Sequence, residues 1–296
     1  MTRSGFVCLV GRPNAGKSTL TNALVGQKVA ITSDRPQTTR RVIRGILNRP
    51  GGQVILVDTP GMHRPRTLLG ERLNDLVRQT LSDMDLVGLC LPANEPIGPG
   101  DRYLLQEIAA SSTPVIAIVT KADLVTSDQL ATHLIEVDQL HDFDHIVPVS
   151  AVSGTGTEHL ADLLVSLMDE GPILYPDGDA DGEPEHIVVA ELIREAALEG
   201  VTDELPHSIA VLVEEMTERK RRGKSPIVDI RADLYVERSS QKGIIIGTKG
   251  ARLKDVGIKA RQEIEKVLGT QVYLDIHVRV AKEWQRDPKQ LGRLGF

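Results

Sequence analysis

Residues 11–18 read Gly11-Arg12-Pro13-Asn14-Ala15-Gly16-Lys17-Ser18 and fit the pattern Gly-x-x-x-x-Gly-Lys-Ser/Thr. The octet follows the apolar run Phe6–Val10 and opens an amphipathic stretch, Lys17–Val25. A strand, a glycine-rich turn and a helix in this order form a phosphate-binding loop, because the backbone N–H groups and the helix N-terminus together bind an anion. The spacing predicts a P-loop nucleotide-binding domain, in which Lys17 reaches the β and γ phosphates and Ser18 binds Mg²⁺.

Apolar runs alternate with amphipathic stretches over the first 170 residues. The predicted strands are Phe6–Val10, Val54–Val57, Asp85–Leu91, Val115–Val119 and His145–Val149, and the predicted helices are Lys17–Val25, Gly70–Leu81, Asp101–Ala110, Asp128–Leu140 and Gly156–Met168. This alternation favours an α/β fold with a mostly parallel sheet and helices on both faces. Residues 41–48, the turn Pro50-Gly51-Gly52 and residues 53–57 predict a hairpin that adds one antiparallel strand.

The composition changes after residue 170. An acidic stretch rich in Gly and Pro, residues 171–186, predicts a linker between a domain at 1–170 and a second domain at 187–296. The whole chain carries a net charge of −6, yet residues 205–296 hold 19 basic and 12 acidic side chains, a net of +7 that leaves −13 for the rest. The basic half indicates a polyanionic partner such as nucleic acid.

The composition also indicates the cellular compartment in which the protein is found. Hydrophobic residues make up 41% and charged residues 26% of the chain, which is ordinary for a globular protein. No apolar stretch reaches the roughly 20 residues that span a bilayer, and the N-terminus does not fit a signal peptide. Cys8 and Cys90 lie in apolar runs and are interpreted as buried packing thiols. We expect a cytoplasmic protein.

Asp58-Thr59-Pro60-Gly61 follows the predicted strand Val54–Val57, about 40 residues after the P-loop. A carboxylate at this place binds Mg²⁺, as a Walker-B aspartate does, and Gly61 allows a backbone N–H to meet a γ phosphate. The residue after Gly61 is Met62, where a Ras-like enzyme carries the glutamine that orients the attacking water. Hydrolysis is therefore predicted to be slow or to depend on another group.

Two further boxes follow the later strands. Thr120-Lys121-Ala122-Asp123 is similar to the Asn-Lys-x-Asp guanine box, whose carboxylate accepts from the guanine N1–H and amino group, which adenine does not offer. Thr120 replaces the usual asparagine but can still form a hydrogen bond. Ser150-Ala151 lies where a backbone contact to the guanine oxygen is expected.

A switch threonine is expected between the P-loop and Asp58. In Gln37-Thr38-Thr39-Arg40 either threonine could complete the Mg²⁺ shell, and Thr39 is preferred because similar switch-I motifs place the key threonine directly before an arginine. Asn14 either binds a monovalent cation, K⁺, beside the phosphates or only caps the loop, and both interpretations stay open. The predicted catalytic groups are Lys17, Thr39 and Gly61, and the predicted metal ligands are Ser18, Thr39 and Asp58.

The C-terminal half contains Gly247-Thr248-Lys249-Gly250 between the apolar run Gly243–Ile246 and the periodic helix Ala251–Leu268. A Gly-x-x-Gly turn between two helices is the backbone clamp of KH domains. Two strands before the helix pair (Ser208–Glu218 and Ile227–Glu237) and one after it (Gln271–Val280) predict the type II KH arrangement. The predicted RNA contacts are Lys242, Gly247, Thr248, Lys249, Gly250, Arg252 and Lys254.

Other C-terminal residues carry weaker predictions. The basic run 219–224 is predicted to be a hairpin loop, either in contact with phosphates or solvated. Trp284, Tyr235 and Tyr273 are predicted to be packing residues.

The whole set of motifs resembles the Era family of bacterial GTPases over nearly the entire chain. The resemblance implies a GTPase that binds GTP and GDP with Mg²⁺, contacts the 3′ end of 16S rRNA through a KH domain and acts in 30S subunit maturation. It also implies peripheral association with the cell membrane, and we expect a monomer. The implied nucleotide contacts are Gly11, Arg12, Pro13, Asn14, Ala15, Gly16, Lys17, Ser18, Thr19, Asp58, Thr59, Pro60, Gly61, Met62, Thr120, Lys121, Ala122, Asp123, Ser150 and Ala151. Two alternatives stay open: a GTPase that acts on another RNA, such as one in tRNA modification, and an ATPase or non-hydrolysing module, against which Asp123 argues.

Overall fold

The structure is a computed structural model of the 296-residue chain. It describes residues 2–32, 39–62, 65, 67–109, 111, 113–175, 184–201, 205–221 and 224–296, with only the backbone of residue 224. The chain divides into two compact units. The first comprises Met1–Arg66 and Gly70–Gly182, and the second comprises Glu183–Phe296 with the short segment Thr67–Leu69.

The first unit is a six-stranded sheet covered by helices. Its elements are β1 (Arg3–Gly11), α1 (Lys17–Val25), β2 (Ile43–Arg49), β3 (Gly52–Asp58), α2 (Leu68–Leu81), β4 (Leu86–Pro92), α3 (Pro99–Ala109), β5 (Val115–Thr120), α4 (Ser127–Asp138), β6 (Ile146–Pro148) and α5 (Thr157–Ser166). The strand order is β2-β3-β1-β4-β5-β6. All neighbours pair in parallel except β2 and β3, which form the predicted antiparallel hairpin.

The sheet is apolar on both faces, as expected for central parallel strands. Every residue of β3 and β4 is buried. One core packs α1 and α5 against the sheet through residues such as Leu20 and Leu160. A second core packs α2, α3 and α4 on the opposite face through Val77, Leu104 and Val137. The predicted α/β fold with helices on both faces is therefore confirmed.

The second unit contains a three-stranded sheet and a set of helices. Its elements are α6 (Glu185–Leu198), α7 (Leu205–Ser208), β7 (Ala210–Arg221), β8 (Lys224–Val236), α8 (Ser239–Ile246), α9 (Ala251–Leu268), β9 (Gln271–Val280) and α10 (Pro288–Arg293). β8 lies in the centre, antiparallel to β7 and parallel to β9. Two strands before the helix pair α8–α9 and one after it give the predicted type II KH order.

Several sequence predictions for the second unit need correction. Within the basic run 219–224, residues 219–221 belong to β7 and not to a loop, and β8 begins at Lys224. Arg219 is paired with Asp229 across these strands, its Nε lying 2.8 Å from the carboxylate. Arg222 and Gly223 lie outside the described residues. Tyr273 is 57% exposed and is not a packing residue, whereas Tyr235 and Trp284 are buried as predicted.

Described residues lie at both ends of the predicted linker, 171–186. Leu174 and Tyr175 donate their backbone N–H groups to Gln53 Oε1 at 3.0 and 2.9 Å, so the chain up to residue 175 lies against the first unit. Helix α6 already begins at Glu185. Residues 176–183 lie outside the described residues.

Two further properties concern the whole chain. Cys8 and Cys90 are buried free thiols as predicted, and burial raises the pKa of each to about 12. Within the described ranges, every helix is too short or too polar to cross a bilayer.

Candidate active site and nucleic-acid interface

The predicted nucleotide-binding boxes meet at one edge of the first sheet. The strand register pairs Leu9 with Asp58, Pro92 with Thr120 and Val119 with Pro148. The P-loop and the boxes at Asp58, Thr120 and Ser150 therefore all follow the carboxyl ends of parallel strands. In open α/β sheets this edge is where ligands bind.

The P-loop takes a conformation that few side chains allow. Asn14 and Gly16 both have positive φ, 64° and 87°, and α1 begins directly after them at Lys17. Lys17 is almost fully buried, and its Nζ donates to the carbonyl oxygens of Gly11 and Arg12 at 3.1 and 3.0 Å. Burial lowers the pKa of Lys17, while the Asp58 carboxylate opposes that shift. The ammonium group is therefore held inside the loop beside a negative charge.

The three predicted metal ligands converge. Ser18 Oγ lies 2.6 Å from Asp58 Oδ2 and 2.9 Å from Thr39 Oγ1. Asp58 is fully buried, which raises its pKa, and its Oδ1 has no hydrogen-bond partner among the described residues. Thr39 is buried next to it, whereas the alternative, Thr38, lies outside the described residues together with Gln37. The result is a compact cluster of oxygen ligands with one carboxylate oxygen unused.

The residues after Asp58 divide between the site and the core. Thr59 Oγ1 donates to the Leu9 carbonyl at 2.9 Å, so its side chain fastens β3 to β1. A Cβ on Gly61 would lie 2.8 Å from the backbone nitrogen of Pro13, so only glycine fits against the P-loop. The Met62 side chain, predicted among the nucleotide contacts, is instead 2% exposed and belongs to the apolar core beneath α2 and α3. Pro60 is buried as well.

The region near the switch threonine and the P-loop forms one concavity. The residues that line it are Pro13, Asn14, Gly16, Lys17, Ser18, Thr19, Ile31, Thr32, Thr39 and Gly61. Ile31 and Thr32 were not predicted, because an isolated Ile-Thr pair in a loop carries no sequence signal.

The guanine-box residues lie at the ends of β5 and β6. Thr120 Oγ1 donates to the Ala15 carbonyl at 2.6 Å, so the residue that replaces asparagine fastens this box to the P-loop. Lys121 has a φ of 56°, and the Ala122 N–H donates to the Val149 carbonyl at 3.1 Å. Asp123 is exposed in a short 3₁₀ helix. Ser150 is buried, and its Oγ accepts from the Ser153 N–H at 3.1 Å. Ala151 packs on the core next to it.

Arg12 differs from the other predicted nucleotide contacts. Its Nε donates to Asp101 Oδ1 at 2.7 Å, and its Nη2 lies 3.3 Å from Glu95 Oε2. The guanidinium is therefore committed to two carboxylates of the protein. Sequence reasoning missed Glu95 and Asp101, since neither belongs to a recognised motif.

The Gly-x-x-Gly turn joins α8 to α9. Gly247 and Gly250 have φ of 69° and 79°, and a Cβ on Gly247 would lie 2.7 Å from the Cβ of Arg252. The side chains of Thr248, Lys249 and Lys254, all predicted RNA contacts, are exposed. Arg252 differs, because its Nη2 donates to the carbonyl oxygen of Glu199 at 2.7 Å, beyond the end of α6. We therefore expect Arg252 to contribute less to phosphate binding than the two lysines.

A basic cavity of about 790 Å³ lies near Lys242 in the same unit. Its lining is Tyr235, Lys242, His277, Val278, Arg279, Val280, Ala281, Lys282, Gln290, Arg293 and Leu294. Except for Lys242, none of these residues was predicted to bind RNA. Their cations are spread over β9, the segment after it and α10, and only the fold brings them together.

Comparisons with known proteins agree with both halves of the chain. A model described as a 50S ribosome-binding GTPase matches residues 6–121, and a KH-domain model matches residues 204–285. GTPase Era of Streptomyces coelicolor is 65% identical over 301 residues, covering 99% of this chain and 95% of the relative. GTPase Era of Mycolicibacterium smegmatis is 62% identical over 297 residues and 99% of both chains.

The chain belongs to the Era family of GTPases.

Two solved Era structures have the same fold. An Aquifex aeolicus Era variant bound to GDP and AlF₄⁻ is 34% identical with a TM-score of 0.93, covering 99% of both chains. An Era structure in complex with MgGDPNP and nucleotides 1506–1542 of 16S ribosomal RNA is 35% identical with a TM-score of 0.94, covering 100% of this chain and 99% of that one. This family member is thus a GTP hydrolase built from a P-loop G domain and a C-terminal KH domain.

Proposed function

We propose that the chain binds GTP and GDP at the P-loop edge of its first unit, hydrolyses GTP there, and binds the 3′ end of 16S rRNA through its KH unit in 30S subunit assembly. The observation that carries the proposal is the combination, in one chain, of the Ser18–Thr39–Asp58 oxygen cluster with an exposed Gly-x-x-Gly turn. A GTPase acting on another RNA, such as one in tRNA modification, shares the first feature but usually lacks the second.

The oxygen cluster fits Mg²⁺. Hydroxyl and carboxylate oxygens are the ligands that Mg²⁺ prefers, and Asp58 Oδ1 is a buried acceptor with no partner among the described residues. Ser18, Asp58 and Thr39 would hold the ion, directly or through water, and the ion would neutralise charge on the β and γ phosphates. Closing this cluster needs Thr39, which the family resemblance assigns to the switch segment.

Lys17 and the backbone supply the remaining charge stabilisation. The Lys17 ammonium sits within the P-loop, where it can exchange its carbonyl partners for phosphate oxygens. Helix α1 begins at Lys17, and the backbone N–H groups at the start of a helix are a binding site for phosphate. We assign to Gly61 a backbone contact with the γ phosphate, because its close approach to Pro13 leaves its backbone at the P-loop wall.

Met62 stands at the position where a Ras-like enzyme carries the glutamine that orients the attacking water. Met62 points into the core, so hydrolysis relies on charge stabilisation by Lys17 and Mg²⁺ alone unless another group assists. Asn14, at a positive φ beside the phosphates, is the candidate for holding a K⁺ ion there. Whether it binds K⁺ or caps the loop is tested by comparing turnover in KCl and NaCl.

Guanine selectivity is assigned to Asp123, with Lys121 along the base and Ser150-Ala151 at the guanine oxygen. The hydrogen bond from Thr120 to Ala15 explains how the box keeps its place without the usual asparagine.

The proposal that the second unit binds RNA rests on its positive charge and on the exposed side chains of its Gly-x-x-Gly turn. The basic second unit offers Gly247, Thr248, Lys249, Gly250 and Lys254 at the turn, with Lys242 beside the basic cavity. Backbone contacts at a glycine turn and neutralised phosphates bind single-stranded RNA, with affinity that falls as salt rises.

The experiment crosslinks the GTP-bound protein to cellular RNA and sequences the attached fragments. Enrichment of the 16S rRNA 3′ end supports the proposal, and enrichment of tRNA supports the alternative. Competition of labelled GTP by ATP in the same preparation tests the base selectivity. Four further properties stay predictions. Limited proteolysis tests the domain limits 1–170 and 187–296, and light scattering tests the monomeric state. Cell fractionation tests the cytoplasmic location and the peripheral membrane association.

A further inference from the structure

Arg12 belongs to the P-loop, yet its guanidinium pairs with carboxylates of other segments of the chain. It forms ion pairs with Asp101, which is fully buried at the start of α3, and with Glu95, which follows β4. The other Asp101 oxygen accepts from the Gly98 N–H at 2.8 Å, so the carboxylate is fixed from two sides. The orientation of the guanidinium is therefore set by the protein.

Glu95 reaches a second nucleotide-binding element. Its Oε1 lies 3.8 Å from Lys121 Nζ in the guanine box, while its Oε2 lies 3.3 Å from Arg12 Nη2. One carboxylate thus stands between a cation of the phosphate loop and a cation of the base loop. Each of these three side chains is only 25–40% exposed, so the pairs are partly shielded from solvent.

The packing around Arg12 is equally specific. A Cβ on Gly100 would lie 2.9 Å from Arg12 Cδ, so the arginine stem rests directly on the first turn of α3. At Gly98, two residues earlier, the nearest atom to such a Cβ is 3.9 Å away. The contact therefore needs glycine at position 100 but not at position 98.

Contacts with neighbouring residues stabilise the backbone conformation of Lys121. A lysine at a φ of 56° occupies a region that L side chains populate rarely. The loop keeps this conformation through the Ala122–Val149 hydrogen bond and the Glu95 ion pair.

We propose that Arg12, Glu95 and Asp101 form a strut that holds the phosphate loop and the guanine box in fixed relative position, and that Glu95 and Asp101 are positioning residues for the bound nucleotide. The inference rests on the proposed placement of the nucleotide across these two loops. A nucleotide bound at both ends leaves when one loop moves away, so loosening the strut raises the dissociation rate.

The test measures release of fluorescent methylanthraniloyl-GDP by stopped flow after mixing with excess GDP. Glu95→Gln keeps the size of the side chain and removes its charge. We expect release about two- to tenfold faster, because two partly exposed ion pairs, each contributing at most about fivefold, are lost. Gly100→Ala should accelerate release similarly by displacing Arg12. Gly98→Ala is the matched control: alanine keeps the backbone N–H that Asp101 accepts and its Cβ meets no atom closer than 3.9 Å, so release should stay at the parental rate.

Two readouts separate positioning from folding. The melting temperature of the nucleotide-free protein should not fall in Gly100→Ala, because alanine favours the helix over glycine. Release from the parent should accelerate with added NaCl, which screens the ion pairs, and release from Glu95→Gln should depend less on salt.

Parental release rates in both Glu95→Gln and Gly100→Ala would overturn the strut while leaving nucleotide binding intact. Equal acceleration in Gly98→Ala, or acceleration matched by a lower melting temperature, would also overturn it. A parent that retains no methylanthraniloyl-GDP would overturn the proposed function itself, and the strut with it.

Discussion

Replacing both variable residues of the Gly-x-x-Gly turn by aspartate should abolish tight RNA binding. Thr248→Asp/Lys249→Asp keeps both glycines, and aspartate tolerates the φ of 51° at position 249. Each new carboxylate placed about 4 Å from a phosphate costs about 1 kcal/mol in water, and the loss of the Lys249 charge costs about as much again. The sum of about 3 kcal/mol corresponds to roughly 10²-fold weaker binding.

The assay is a filter-binding titration against a fragment from the 3′ end of 16S rRNA, with circular dichroism to show that the variant is folded. Thr270→Asp/Lys266→Asp is the matched control, because it makes the same chemical change at the far end of α9. That helix has 18 residues and therefore separates the two sites by about 27 Å. Unchanged RNA affinity of the folded turn variant would refute the assignment of the turn to RNA binding. An equal loss of affinity in the control would show that the effect comes from the change in net charge and not from the turn.

Three predictions concern the nucleotide site. Asp123→Asn should shift the preference from guanosine to xanthosine nucleotides, because an amide can donate to the xanthine oxygen; competition by ATP equal to that by GTP in the parent would contradict the guanine assignment. Basal turnover without RNA should lie at roughly 10⁻⁴ to 10⁻² s⁻¹, the range between Ras alone and Gα with its arginine in cis. Met62→Gln should lower stability by about 1–3 kcal/mol without speeding hydrolysis, since the amide would be buried in the core. A parental rate above about 1 s⁻¹ in a phosphate-release assay would refute this. Gly61→Ala should weaken GTP binding by at least about tenfold and GDP binding much less, because its Cβ would press on the backbone of Pro13 near the γ phosphate; calorimetric titration of both nucleotides decides, and equal losses would contradict the contact.

Elements of the fold could be predicted from the sequence wherever the hydrophobic periodicity and the turn residues agree. Helices α1 and α9 and strand β9 have the predicted limits, because glycines with positive φ end or begin each helix. The hairpin β2–β3 followed from the Pro-Gly-Gly turn. The short helix α10 was missed, since its six residues carry too little periodicity. Residues 219–221 of the basic run were wrongly assigned to a loop because charge is taken as a loop signal, whereas here β7 extends to Arg221 and Arg219 pairs with Asp229 on the next strand.

Site residues could be predicted from the sequence where the backbone conformation of a motif restricts the residue type. The orientation of a side chain that depends on tertiary contacts could not. The boxes at Gly11–Ser18 and Thr120–Asp123 could be identified from spacing alone, and the structure brings them to one sheet edge. No spacing rule indicates that Arg12 turns toward Asp101, or that Met62 packs into the core. Arg12 and Asp101 are 89 residues apart in the sequence, and the core around Met62 is assembled from several strands and helices, so only the tertiary structure contains this information.

The single tryptophan of the chain, Trp284, is fully buried in the second unit, where its Nε1 donates to the Ser208 carbonyl at 3.0 Å and its ring stacks on Phe296. Fluorescence excited at the red edge of the tryptophan band therefore reports on the KH unit alone, and unfolding of the G domain is silent in that signal. Far-ultraviolet circular dichroism sees both units. In a denaturant titration, two curves that coincide would reveal a single cooperative transition, and two that separate would give the stability of each unit without any label or truncation.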